Sequence, residues 1–530
     1  MTHFLAGLVA SILTSVASAQ APAATAKSLQ TRPERTDFTE TSRYDDVIQF
    51  MEAASKAAPA LIHLTTFGTT VEGRAMPLAV VGADDPTPAA VRRTGKLRVH
   101  IQANIHGGEV EGKESAQMLL RELAEGKHAD WLGSMVLLIE PIYNADGNEK
   151  IGLRSRGRQH GPIAGQGERA NAQGYDLNRD HMKLDSPEAR AFVRLLKDYD
   201  PHVSIDLHTT NGTRHAYHLT YAPPLNPATD ASIVALLRTR WLPWVTETIR
   251  TKYGWHSYYY GNVEGGGVPG TPARRAWKSF DSRPRFNNNY IGLRNRIAIL
   301  SEAYAYATFE ERIMATSRFV EEVLSYAHAH AEAIRKLIAA ADQRNIVGTR
   351  LALRAELARA PGLVEILLGD VIEEKNPIDG HVMERRADVV KPERMAEYGT
   401  FKPTHTERVP PAYYVPAGMT AAIDHLRAHG VAMEPLPLQA AVKFEEFRIT
   451  GSAFGSEFQG HRERTLTGTW RATKRTLPAG TLRVDMSQPL ARLAFYLLEP
   501  QSDDGMVNWN ILDDALGDST VFPILRALNR

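Results

Sequence analysis

The stretch Leu97-Arg98-Val99-His100-Ile101-Gln102-Ala103-Asn104-Ile105-His106-Gly107-Gly108-Glu109 decides the fold. Its alternation of apolar and polar residues from Leu97 to Ile105 reads as a strand, and the strand ends in a turn carrying two metal-ligand side chains. His106 and Glu109 stand three residues apart, so a tight turn can aim both at one ion, and the intervening glycines permit close backbone approach. Alone the pair is weak. With 19 histidines in the chain, a His-x-x-Glu spacing arises about once by chance at ordinary composition. A second copy, His381-Val382-Met383-Glu384, has no supporting context and is read as structural.

The same pattern of apolar strand and polar end recurs downstream. Ser204-Ile205-Asp206-Leu207-His208-Thr209-Thr210 runs a strand into a polar turn, and His208 would complete a two-His, one-carboxylate site with a position open for water. Asp206 shares a strand face with His208. It either orients that imidazole or replaces Glu109 as the metal carboxylate. Ile297-Ala298-Ile299-Leu300-Ser301-Glu302 sets a carboxylate at the end of a buried strand, where a general base would sit. In Gly174-Tyr175-Asp176-Leu177-Asn178-Arg179-Asp180, Asn178 beside Arg179 suits a clamp on a substrate carboxylate. Arg169 could polarise a scissile carbonyl. Arg154, Arg156 and Arg158 read as a surface loop, as do Arg283 and Arg285.

Around these motifs strands and helices alternate. Tyr44–Ala57 carries helical spacing, and Ile62–Phe67 and Met76–Val81 are strand-like. Strands are expected at Leu97–Ile105, Met135–Ile139, Val203–Leu207 and Arg296–Leu300. Helices are expected at Gly112–Ala124, Pro187–Lys197, Ala231–Tyr253 and, as one long element, Phe309–Leu337. The order predicts an α/β fold, a mixed and mostly parallel sheet flanked by helices, with ligands bound beyond the carboxyl ends of its strands. From Ala340 helices become sparse apart from Met419–His429. Strand-like runs (Ala441–Phe447, Leu466–Ala472, Leu482–Asp485, Leu493–Leu498) predict a separate strand-rich accessory domain over 340–530.

At the front, Phe4–Ala17 is apolar but too short to span a bilayer, and Ala17-Ser18-Ala19 is a small-residue cleavage site. Residues 1–19 are therefore expected to be an export signal, 20–38 a linker and 39–339 the catalytic domain. No stable membrane insertion is expected once the signal is removed, and the destination is the periplasm or the exterior. The formal net charge of +1 argues against a nucleic-acid partner, which calls for a basic face. The chain has no cysteine, so thiol nucleophiles are excluded and a metal must be held by His, Asp or Glu. His-Glu-x-x-His, Gly-x-Ser-x-Gly and phosphate-binding Gly-Lys-Ser motifs are absent.

In this order the segments resemble the zinc carboxypeptidase family, the carboxypeptidase A-like metallocarboxypeptidases. The resemblance runs from about Thr39 to Tyr326. It includes Gly68-Thr69-Thr70-Val71-Glu72-Gly73-Arg74, similar to the family's opening turn, and Asn144-Ala145-Asp146-Gly147, similar to its Asn-Pro-Asp-Gly loop. It implies one zinc ion on His106, Glu109 and His208, Glu302 as general base, and Arg169 on the carbonyl. Asn178 and Arg179 would then hold the terminal carboxylate of a peptide. It also implies a tyrosine that closes over substrate; Tyr290 is the candidate, although it lies nearer to Glu302 than the family's spacing. Tyr258-Tyr259-Tyr260 and Gly265-Gly266-Gly267 are expected at the rim. Two other readings are carried alongside: an N-acyl amino acid deacylase of the aspartoacylase and succinylglutamate desuccinylase type, and an inactive peptide- or polymer-binding protein.

Overall fold

In the computed structural model, which describes residue 1 and residues 29–265, 275–438 and 440–528, the apolar runs gather into one eight-stranded sheet. Its strands are β1 (Ile62–Thr69), β2 (Ala75–Val81), β3 (Leu97–Ala103), β4 (Met135–Glu140), β5 (Val203–Thr209), β6 (Leu219–Ala222), β7 (Ser257–Tyr259) and β8 (Ile297–Ala303). They lie in the order β1-β2-β4-β3-β5-β8-β6-β7. The four central strands β4, β3, β5 and β8 are mutually parallel, while the β1–β2 hairpin joins β4 antiparallel. All residues of β4 and β5 are buried, as expected where helices cover both faces of a parallel sheet. The α/β prediction is borne out.

Helices α1 (Tyr44–Ala57), α2 (Glu111–Ala124), α3 (Pro187–Tyr199), α4 (Asn287–Leu293), α5 (Phe309–Ala329) and α6 (Ala331–Asp342) flank the sheet. Their starts are locally encoded. Ser186 caps α3 ahead of Pro187, and Thr308 forms a reciprocal capping box with Glu311 at α5. The single helix expected over Phe309–Leu337 is two, because the backbone breaks at His330.

One face of the sheet packs against α1, α2, α5 and α6, around Val47, Leu120, Trp241 and Phe319. The other face packs on α3 and α4, which in turn pack on helices of the strand-rich region. A single buried cluster there joins Met76, Leu138, Phe192 and Tyr290 to Tyr413, Leu426, Phe447, Phe495 and Trp509. Residues after 340 thus share a core with the sheet across this face. They include helix α7 (Thr420–His429), the hairpin β9 (Ala440–Phe458) and β10 (His461–Leu477), and helix α8 (Ala491–Leu498). The strand expected at Leu493–Leu498 is α8. All eight of its residues are buried, and a run apolar all round carries no periodicity to separate strand from helix.

Most of the expected export signal lies outside the described residues, as do Gly266 and Gly267. The expected linker is ordered from Leu29 onward: Thr31 caps a helical turn over Arg32–Arg35, and Arg32 pairs with Glu40 and Asp46 at 2.6 and 3.0 Å. Among the described residues no helix is long and apolar enough to cross a membrane.

Candidate active site

The carboxyl ends of β3, β5 and β8 deliver the site. Asn104, at the end of β3, takes a left-handed backbone (φ 64°), which asparagine tolerates better than most side-chain-bearing residues. From there its amide donates to the carbonyls of His106, Gly107 and Glu109 at 3.1–3.3 Å, knitting the turn around the two candidate ligands. Gly107 is required by space. A Cβ there would stand 2.3 Å from the Gly147 carbonyl carbon and 2.7 Å from the Glu168 oxygen. This close approach couples the His106 turn to the Asn144–Gly147 loop. That loop is anchored in turn by Asp146, which accepts from the Thr70 hydroxyl (2.7 Å) and the Glu72 N–H (2.9 Å) and pairs with Arg74.

His106, Glu109 and His208 converge. Nδ1 of His106 lies 2.9 Å from Glu109 Oε1, and Nδ1 of His208 lies 2.9 Å from Glu109 Oε2. The three offer ligand atoms within 4.8 Å of one another, and all three side chains are buried. The outer nitrogen of each ring is held by a carboxylate: His106 Nε2 by Asp176 at 3.0 Å, and His208 Nε2 by Asp206 at 2.8 Å. That arrangement aims both Nδ1 atoms inward and suits metal-ligating imidazoles. Asp206 thus bonds the outer nitrogen of His208, and Glu109 is the carboxylate within reach of both inner nitrogens. Two imidazoles and one carboxylate form a donor set that fits zinc with one position left open.

Electrostatics agree with this geometry. Burial alone would raise the Glu109 carboxyl, but His106 and Arg156, with bonds from both imidazoles, hold it well below the usual carboxylate range. Burial likewise opposes ionisation of Asp176, and His106, Arg179 and Arg169 outweigh it. Burial, with Glu109 nearby, pushes Glu302 up to about 8 against the pull of His208 and Arg169.

A cavity of about 340 Å³ opens above the triad. Its lining holds Glu302, Arg169, Asn178 and Arg179, together with Arg156, Tyr260, Phe280 and Phe286. Arg169 grips Asp176 through Nε and Nη2 (3.0 and 2.8 Å), while its Nη1 stands 3.2 Å from His106 Nδ1. The Arg179 guanidinium stacks 3.9 Å from the centre of the Phe286 ring, and Asn178 Oδ1 accepts from the Asn287 N–H at 2.9 Å.

Several expectations need correction. Tyr290 does not face the cavity. It is fully buried in the core shared with the C-terminal region, its hydroxyl 2.8 Å from His429 Nδ1 and accepting from Arg294 at 3.2 Å. Of the Tyr258–Tyr260 run, Tyr260 lines the cavity. Arg156 is no surface residue, since its Nη2 bonds Glu109 Oε1 at 2.8 Å and its side chain is 6% exposed. Arg285 is buried on Asp504 and Glu463, and Arg283 pairs with Asp281. The second His-x-x-Glu is structural as expected: His381 bonds Asp379, and Glu384 pairs with Arg158 and Arg214. Arg156 pairs with Glu109, 47 residues away, so no local spacing marks it.

An open α/β sheet with such a donor set, a carboxylate and three cations at its strand ends defines a metal-dependent hydrolase. Residues 47–258 match the model of the zinc carboxypeptidase family. Carboxypeptidase 2 of Trichophyton rubrum is 25% identical over 476 residues, covering 86% of this chain and 81% of its own. Carboxypeptidase D of Rattus norvegicus is 31% identical over 170 residues, 27% of this chain and 12% of its own. Among solved structures, a metallo-carboxypeptidase from Burkholderia cenocepacia aligns with a TM-score of 0.40 at 18% identity, over 55% of this chain and 70% of its own. Residues 47–258 thus match a zinc carboxypeptidase domain, and the chain is a metallocarboxypeptidase whose cofactor is one zinc ion.

Proposed function

We propose that the protein removes C-terminal residues from peptides, with His106, Glu109 and His208 holding the zinc. The observation that carries this reading is that Asn178 and Arg179 line the same cavity as the metal-ligand triad and Glu302. A bidentate guanidinium beside an amide recognises a free carboxylate, and the distance across one small cavity sets the bond to be cut next to that carboxylate. When bound, the zinc supplies Lewis-acid polarisation of the carbonyl and lowers the pKa of the attacking water.

The chain's own residues do the rest. Glu302 takes the proton of the attacking water and hands it to the leaving amine, a role suited to a carboxyl poised near neutrality. Arg169, held in place by Asp176, donates to the developing oxyanion. Asn178 and Arg179 bind the free carboxylate and orient the scissile bond. Tyr260 and Phe280 close the side of the cavity and limit water around it. Residues 39–339 are the catalytic part and 340–530 its companion. Ala17-Ser18-Ala19 supports export.

Mass-spectrometric profiling of a mixed peptide library, with N-acyl amino acids alongside, tests this reading. Stepwise loss of single C-terminal residues is expected. Internal cleavage, or turnover of acyl amino acids alone, would overturn it.

A further inference from the structure

The β9–β10 hairpin reaches well beyond its own sheet. Its tip carries Phe458, Gln459, Gly460 and His461 to the loop that presents Asn178 and Arg179. His461 Nε2 lies 2.8 Å from Asp185 Oδ2, and Gln459 donates to the Asp176 carbonyl at 3.4 Å. Gly460 adopts φ +80°, and a Cβ there would stand 3.3 Å from the Tyr175 hydroxyl. From Asp185 the contact passes inward. Lys183 bridges Asp185 and Asp180 at 2.7 and 2.8 Å, and Asp180 accepts from the Asp185 and Ser186 N–H groups at 2.9 and 2.8 Å.

A second arm of the same hairpin grips the other side. Glu463 pairs with Arg285 at 2.9 Å, and Arg285 is locked on Asp504 at 2.7 Å. The Arg285 carbonyl lies 3.0 Å from His181 Nδ1. The next two residues are Phe286, on which Arg179 stacks, and Asn287, whose N–H orients Asn178. Asn178 and Arg179 themselves sit in a helical turn of three residues, Leu177–Arg179. So short a turn cannot hold itself, and its placement must come from tertiary contacts.

We propose that the C-terminal hairpin tip, through His461 and Glu463, is the positioning element for the Asn178–Arg179 carboxylate clamp, so that the strand-rich region sets substrate affinity. This rests on the reading of Asn178 and Arg179 as that clamp. A clamp misplaced by an ångström loses affinity for the carboxylate while the metal and Glu302 stay in place.

The test is steady-state kinetics of full-length His461→Ala and Glu463→Gln on a peptide ending in a free carboxylate, with its carboxamide as a competing ligand. KM for the acid is expected to rise about 10- to 100-fold. kcat, zinc content and the inhibition constant of the carboxamide should stay within about twofold, the signature of lost ground-state binding. His461→Gln keeps an N–H toward Asp185 and should restore KM. In an Arg179→Ala background His461→Ala should add nothing, because the element it positions is already gone. An unchanged KM for the acid in both variants overturns the proposal. So does a loss shared equally by acid and carboxamide, or one that adds fully to Arg179→Ala. If His461→Ala fails to fold, Glu463→Gln decides alone. Wild-type enzyme that binds acid and carboxamide equally would instead overturn the clamp, and the proposal with it.

Discussion

Glu302 lies directly opposite His208 in the parallel ladder between β8 and β5. Neighbouring parallel strands stand about 4.8 Å apart, so this register alone brings the candidate base beside a candidate metal ligand. Neither residue depends on a loop for its height above the sheet. Glu302→Gln keeps the shape and removes the base. It should retain zinc by elemental analysis and lose about 10²-fold or more in kcat; near-normal turnover would remove Glu302 from the mechanism.

Asp206 holds the outer nitrogen of His208 at 2.8 Å. Asp206→Ala should weaken zinc binding about 10- to 100-fold, measured by competition with a chelator of known affinity. An unchanged zinc affinity would mean that packing alone orients the ring.

Arg169 approaches His106 and Glu109 from a carboxylate support at Asp176. Arg169→Met should lower kcat about 10²- to 10³-fold, by the worth of an oxyanion donor, with KM little changed. A rise in KM alone would move Arg169 into substrate binding.

Tyr290 serves the fold. Tyr290→Phe leaves His429 Nδ1 without its buried donor and deprives Arg294 of an acceptor. A loss of about 1–3 kcal/mol is expected in denaturant unfolding, with kcat and KM unchanged.

The His461–Asp185 contact gives a pH dependence of definite sign. The bond to Asp185 raises the His461 pKa, against burial and nearby Lys183. A raised histidine pKa stabilises fully below the unfolded value of about 6.5, and the contribution fades as pH rises through the folded value. Wild type should therefore lose about 0.5 kcal/mol relative to His461→Gln between mildly acidic and mildly alkaline pH, the scale of a partly exposed pair. Thermal unfolding of both proteins at several pH values measures it; parallel curves would show that the pair contributes no stability.

The sequence by itself determined the sheet, the strand ends and the candidate ligands. Strand-like spacing that ends in a cluster of histidines and carboxylates is a pattern for which ligand chemistry gives a reason. His106, Glu109, His208 and Glu302 were legible for that reason, and Asn178 and Arg179 for their pairing in one motif. Only the tertiary structure shows that Glu109 faces both inner imidazole nitrogens while Asp206 faces the outer nitrogen of His208, because that turns on which way an imidazole points. It also moved Tyr290 into the core and brought Arg156 to the cavity, since their partners are remote in the chain. The region after Ala340 looked separate because its secondary structure changes there. It shares a core with the sheet because α3 and α4, which cover one sheet face, turn their other sides to α7 and α8 and close one buried cluster with Tyr413 and Phe447. Burial of that kind depends on which surfaces meet in space, and local periodicity does not record it.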